Sequence, residues 1–188
     1  MFDRFFHAKP TPAATSAHDA PAATSAGDTA TVRRIVAKLE AMPPERARLI
    51  ASAAYTLARA ANADLDISDD ETAAIERELH AHESIDEATA VLVTEMAKLQ
   101  ARTVGGTEDY VVTREFKALA DAGQRVVVLR ACFAVMAASG TISAEETAVV
   151  NEIAEELDID DATLNGIRAE YHEQLSSVQQ IRRVTGGG

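Results

Sequence analysis

Residues 63–73 read ADLDISDDETA and residues 138–148 read ASGTISAEETA, so one pattern occurs twice in the chain, 75 positions apart. Both copies share the skeleton Ala-x-x-x-Ile-Ser-x-[Asp/Glu]-Glu-Thr-Ala. A serine followed three residues later by a glutamate is typical of a helix N-terminus, because each side chain can bond the other residue's backbone N–H. The isoleucine before the serine suits a hydrophobic staple. The two stretches therefore predict that a helix begins at the same place in each half of a duplicated fold.

A second pair of matching segments follows the first pair. Residues 85–89 read IDEAT and residues 159–163 read IDDAT, at an offset one residue shorter. Both pairs fall at corresponding helix junctions, which chance explains poorly. A period this long in only two copies indicates a duplicated domain half rather than a solenoid.

The hydrophobic pattern is helical from about residue 30 onward. It predicts an all-α fold of about eight helices in two pseudo-symmetric four-helix halves. The stretch 124–138 is apolar on nearly every side and is predicted to be a central helix that buries the single cysteine, Cys132. The last helix is predicted to start near Asp160 and to continue past Val178. Aromatic residues make up only 4% of the chain, which argues against a β-sandwich or barrel.

Composition divides the chain into four segments. Residues 1–8 form a short aromatic head, and residues 9–29 form a Pro/Ala/Thr/Ser linker that is expected to be disordered. Residues 30–182 form the helical domain, and residues 183–188 form a flexible tail. Two interpretations of the head stay open. It is either an initiation segment without consequence or a sticky peptide that docks on a partner, on a membrane surface or on the domain, through Phe2, Phe5 and Phe6.

The charge balance limits the classes of partner that we expect this chain to bind. The chain holds 18 Lys and Arg against 30 Asp and Glu, a formal charge of −12. Without excess positive charge, a nucleic-acid partner is not expected, and contact with a membrane is at most peripheral, through the head. No apolar run approaches the roughly 18 residues of a membrane span, and the N-terminus lacks a secretory core. We therefore expect a cytoplasmic protein.

The duplicated motif resembles the tellurite-resistance TerB family over roughly residues 30–180. In that family a buried helix ends in Ala-x-Ala-Asp, a short turn follows, and Ile-Ser-x-[Asp/Glu]-Glu begins the next helix. The same module occurs at the N-terminus of membrane-anchored DnaJ-like co-chaperones. The resemblance implies a compact all-helical domain with pseudo-two-fold symmetry, a role in tellurite and other stress responses, and a metal site made of acidic residues. It implies no enzymatic activity.

The family's usual Ala-Asp-Gly turn is divided between the two halves of this chain. The first half keeps the acid, Asp64, but has Leu65 where glycine is usual. The second half keeps Gly140 but has Ser139 in place of the acid. A metal site that needs an aspartate from each half would therefore lack one of its ligands.

Asp64, Glu71 and Glu146 are the candidate metal ligands, and a divalent cation such as Ca²⁺, Mg²⁺ or Mn²⁺ is the candidate cofactor, because hard cations prefer carboxylate oxygens. The loop is not an EF-hand, since its sixth and twelfth positions are Asp69 and Ile75 rather than glycine and glutamate. The alternative is structural: acids in a first helical turn are favoured by the helix dipole. Both interpretations stay open.

No catalytic motif is present. The sequence lacks a glycine-rich phosphate loop, a Gly-x-Ser-x-Gly, an HExxH and a Cys/His nucleophile arrangement. The prediction is a non-enzymatic stress-response protein that acts as an acidic ion-binding or interaction module with a protein partner. The alternative is a pure adaptor without metal that uses the phenylalanine-rich head and the acidic helical surface.

Overall fold

The computed structural model describes residues 23–61, 67–81, 85–101 and 109–185. The chain divides into two compact units, residues 1–34 and 35–188, and the packing described below lies within the second. The predicted all-α class is confirmed. The described residues form one 3₁₀ turn, His172–Gln174, and nine α-helices: α1 (Ala23–Glu40), α2 (Pro44–Ala60), α3 (Asp69–His80), α4 (Glu87–Ala101), α5 (Asp109–Leu119), α6 (Ala122–Ala138), α7 (Ala144–Glu156), α8 (Asp161–Glu170) and α9 (Ser176–Thr185).

Helices α2 and α6 form the centre of the domain. Helix α2 packs against α4, α5 and α6, and α6 packs against α3 and α7 as well. Every residue of α6 from Val127 to Met136 is buried except Arg130, so the predicted central helix is confirmed. Cys132 lies in this stretch, and burial raises the pKa of its thiol to about 12. The cysteine is therefore a packing residue, because the reactive form of a thiol is the thiolate.

The duplicated motif forms the same hydrogen bonds in both halves. Ser68 accepts from the backbone N–H of Glu71 at 3.3 Å, and the Glu71 carboxylate accepts from the backbone N–H of Ser68 at 2.7 Å. Ser143 and Glu146 repeat the arrangement at 3.1 and 2.7 Å. The isoleucine before each serine is buried. The helix starts predicted at both motifs are confirmed.

The second pair of matching segments also forms equivalent helix starts. The backbone N–H of Thr89 donates to Asp86 at 2.8 Å, and that of Thr163 donates to Asp160 at 2.9 Å. Each aspartate therefore caps the helix that follows it. The spacing of Ser84 and Glu87 also predicts a capping box at the start of α4, but residue 84 lies outside the described residues, and the cap found at this start is Asp86.

Helix α6 begins earlier than its predicted start at Gln124. Asp121 accepts from the backbone N–H of Gln124 at 2.8 Å, and the Gln124 side chain accepts from the N–H of Asp121 at 3.0 Å. This reciprocal pair is a further capping box, so α6 starts at Ala122. Gly123, which the sequence placed before the helix, lies in its first turn.

The predicted single helix from residue 160 past residue 178 is wrong, because the chain leaves the helix at Tyr171. The backbone N–H of Ile142 donates to Gln174 O at 2.7 Å, and the N–H of Ser176 donates to Ile142 O at 2.9 Å. This short parallel bridge to the turn before α7 uses backbone groups that a continuous helix would bond internally. The helix therefore divides into α8, the 3₁₀ turn and α9.

Two predicted segment boundaries differ from the helix ends. Helix α1 begins at Ala23, so residues 23–29, placed in the linker, are helical. This stretch holds two alanines in seven residues beside threonine, serine, glycine and aspartate, so intrinsic helix propensity alone does not explain its helical form. Helix α9 ends at Thr185, inside the segment 183–188 that was predicted to be the tail. The head and residues 9–22 of the linker lie outside the described residues.

Candidate functional site

The three predicted metal ligands are only partly described. Glu71 lies in the first turn of α3 and Glu146 in the first turn of α7, and both helices pack against α6. Asp64 lies outside the described residues. Among the residues that are described, no group of three or more His, Cys, Asp or Glu side chains could hold a metal ion. The three-ligand site therefore stays a prediction.

Both glutamates have a structural role at the helix starts. Oε2 of Glu71 accepts from the backbone N–H of Ser68 and from its hydroxyl, both at 2.7 Å. Oε2 of Glu146 accepts from the backbone N–H of Ser143 at 2.7 Å. One oxygen of each carboxylate is thus engaged in capping, and a cation bound through that oxygen would compete with the cap.

Each of the four duplicated helix starts carries a further acid that neither caps nor pairs; Asp69 at the start of α3 also does not cap, but it pairs with Lys98 at 3.5 Å. These acids lie in the first turn or beside it, where the helix dipole favours negative charge. All four are exposed, and none forms an ion pair with another described residue. We call them the surplus carboxylates; they are Asp70, Glu87, Glu145 and Asp161.

The two capping aspartates are held in the charged form. The hydrogen bond from the backbone N–H of Thr89 lowers the pKa of Asp86, and Arg46 beside it acts in the same direction. The backbone N–H of Thr163 likewise lowers the pKa of Asp160. Both starts therefore present fixed negative charge in addition to the surplus carboxylates.

Comparison with known proteins decides the family. A family model described as "Tellurite resistance protein TerB" matches residues 49–169, which is well over half of the chain. The chain belongs to the TerB family. The matched range contains both copies of the duplicated motif and both capping aspartates, so the resemblance seen in the sequence is confirmed. No curated protein and no solved structure gave a match.

In this TerB chain, α9 contacts the turn between α6 and α7, residues 139–142. The Gln179 side chain on α9 donates to Gly140 O at 3.0 Å and accepts from the Thr141 hydroxyl at 3.0 Å. Gly140 has φ +88°, a conformation that side-chain-bearing residues rarely adopt, which explains why the turn keeps its glycine. Sequence reasoning missed this contact because nothing in the α9 sequence indicates which turn it meets.

The TerB domain also contains an apolar cavity of about 210 Å³ between α2 and α6. Its polar lining residues are Arg46, Thr89 and Gln124, none of which can act as a general base at neutral pH. No helix in the described ranges has the length and apolar character needed to cross a bilayer.

Proposed function

We propose that this TerB protein is a non-enzymatic member of a tellurite-type stress response that works in the cytoplasm as an acidic interaction module. The observation that supports this function is the presence of one capping acid and one surplus carboxylate at all four duplicated helix starts. Unpaired charges of one sign repel one another and are not needed for capping. Their repetition is accounted for if they bind a partner with a basic surface.

The geometry favours binding of a partner protein over binding of a cation. Glu71 and Glu146 already serve the caps, whereas the surplus carboxylates can meet a partner without disturbing any helix start. Charges of one sign on a surface increase the rate of encounter with an oppositely charged partner. We therefore expect partner binding to weaken steeply as the salt concentration rises.

A divalent cation held by Asp64, Glu71 and Glu146 is the second candidate. It is supported by the equivalent positions of the two glutamates, whose Oε1 atoms are not engaged by the described residues. Isothermal titration with Ca²⁺, Mn²⁺ and Zn²⁺, together with elemental analysis, tests this function. Glutamine preserves the capping box, so Glu71→Gln and Glu146→Gln remove charge without removing the cap. Binding heat that is lost in both variants and in Asp64→Asn supports the ion site, and no heat with any cation excludes it.

The role of the head in partner binding is tested by removing residues 1–22, a truncation that leaves α1 complete. Expression of the full chain in a tellurite-sensitive host is expected to raise the tellurite concentration that stops growth. If the head recruits the partner, the truncated chain loses this effect. Full tolerance without the head places the interaction on the helical domain. No gain in tolerance from the full chain would contradict the proposed function.

A further inference from the structure

A groove of about 820 Å³ runs between α5 and α7, and its two walls carry opposite charge. Arg114 and Lys117 on α5 line one wall, and Glu152 and Glu155 on α7 line the other. The start of α5 exposes two large apolar side chains: Tyr110, which lines the groove, and the neighbouring Val111, with exposed fractions of 53% and 66%. Exposed apolar side chains next to a polar rim are typical of protein interaction surfaces.

Most charged side chains of the groove are held by ion pairs or hydrogen bonds within the domain, but one on each wall is not. Lys117 pairs with Asp158 at 3.7 Å, and Glu152 pairs with Arg59 at 3.0 Å. Arg114 lies over the Tyr110 ring, 5.3 Å from its centroid, and forms no ion pair with a described residue.

Glu155 is exposed on the opposite wall and also forms no ion pair with a described residue. One positive and one negative charge are thus left unpaired on opposite walls of the same groove.

This arrangement is self-complementary. In a two-fold dimer each contact occurs twice. A surface that carries both a positive and a negative side chain can therefore form ion pairs with a second copy of itself. The net charge of the whole chain, −12, makes two copies repel each other. Association is therefore favoured where an unpaired arginine can meet an unpaired glutamate.

We propose that the groove between α5 and α7 is a self-association surface, occupied by a second copy of this chain. Arg114 of each copy faces the partner's Glu155, and Tyr110 and Val111 pack across the two-fold axis. Apolar burial supplies the attraction, and the two ion pairs set the orientation of the copies. This proposal does not depend on the proposed function.

Sedimentation velocity of the full chain tests the proposal. The wild type is expected to sediment as a dimer of twice 20.0 kDa at tens of micromolar protein. Arg114→Glu and Glu155→Arg each place like charges opposite each other and are expected to give monomers. The double variant, which exchanges the two charges, is expected to restore the dimer. Circular dichroism confirms the fold of each variant, which exposed positions should preserve.

Arg183→Glu is the matched control, because it makes the same change in charge on the exposed end of α9 and should leave the dimer intact. A monomeric wild type overturns the proposal. So do single variants that remain dimeric, or a double variant that stays monomeric, because each shows that Arg114 does not pair with Glu155 across an interface.

Discussion

Arg59 on α2 and Glu156 on α7 form a shielded ion pair, with 2.6 Å between Nη1 and Oε2. Only 10% and 14% of their side-chain surfaces are exposed. Arg59 also bonds Glu152 at 3.0 Å, so one guanidinium connects the central helix of the first half to the second half. Because both charges are largely removed from water, removing either partner should lower the free energy of unfolding.

Replacing Arg59 with leucine is expected to destabilise the domain by about 3 kcal/mol, because it leaves the shielded Glu156 carboxylate without its partner. The double variant Arg59→Leu/Glu156→Leu should lose much less. Urea unfolding measures both. Arg48→Leu is the control, since its ion pair with Glu115 is exposed and should contribute under about 1 kcal/mol. Equal losses at Arg48 and Arg59 would contradict the role of shielding.

The two capping boxes should contribute similarly to stability, because their reciprocal bonds between side chain and backbone are the same in both halves. Ser68→Ala and Ser143→Ala are each expected to cost about 1 kcal/mol in the free energy of unfolding. Glu71→Gln and Glu146→Gln should change it little, since glutamine can accept the same bond. Thermal unfolding followed by circular dichroism checks the four variants. A stable Ser143→Ala would show that the bridge from α9 holds this turn without the cap.

Stability should fall in acid because of the capping aspartates. The pKa values of Asp86 and Asp160 lie below their ordinary value of 3.8 in the folded state. The unfolded chain therefore binds more protons between the folded and the ordinary pKa, and stability is lost as the pH falls through that range.

Melting temperatures between pH 2 and pH 6 should show a smaller dependence on pH in Asp86→Asn/Asp160→Asn than in the wild type. Asparagine still caps, so the comparison isolates the charge. Asp161→Asn is the control on the same helix, because Asp161 does not cap. An unchanged slope in the double variant would show that other carboxylates cause the acid sensitivity.

The contact of α9 with the turn between α6 and α7 should govern how often that turn opens. Gln179→Ala removes both side-chain bonds to Gly140 and Thr141. We expect faster amide hydrogen exchange at Ile142, whose N–H donates to Gln174 O. Gln180→Ala, one residue further along the same helix and exposed, should leave the exchange rate unchanged. Equal rates in the two variants would mean that the backbone bridge alone holds α9.

The sequence predicted those parts of the fold that depend on local patterns. Ser68 with Glu71 and Ser143 with Glu146 form caps within four residues, and such bonds can be read from spacing alone. The apolar run of α6 likewise predicted its burial. The break after α8 could not be predicted, because it depends on backbone bonds to Ile142, which lies about thirty residues earlier.

The candidate site was predicted less completely than the fold. The repeat located the acids of the duplicated turns, and the spacing after each serine identified the capping glutamates. The sequence did not show which of the other acids form ion pairs: Asp69 pairs with Lys98 at 3.5 Å, whereas its neighbour Asp70 pairs with no described residue. The ion pair between Arg59 and Glu156 could not be predicted from the sequence of either helix, because the two residues are 97 positions apart in the chain.

The most direct test of the proposed function compares two variants in a tellurite-sensitive host. One replaces the four surplus carboxylates by amides (Asp70→Asn, Glu87→Gln, Glu145→Gln, Asp161→Asn), and the other changes only the capping glutamates (Glu71→Gln and Glu146→Gln). Both keep every helix cap. We predict that the first loses the tellurite tolerance that the wild type confers and that the second retains it. Retained tolerance in the first variant with loss in the second would contradict the account and support a bound ion.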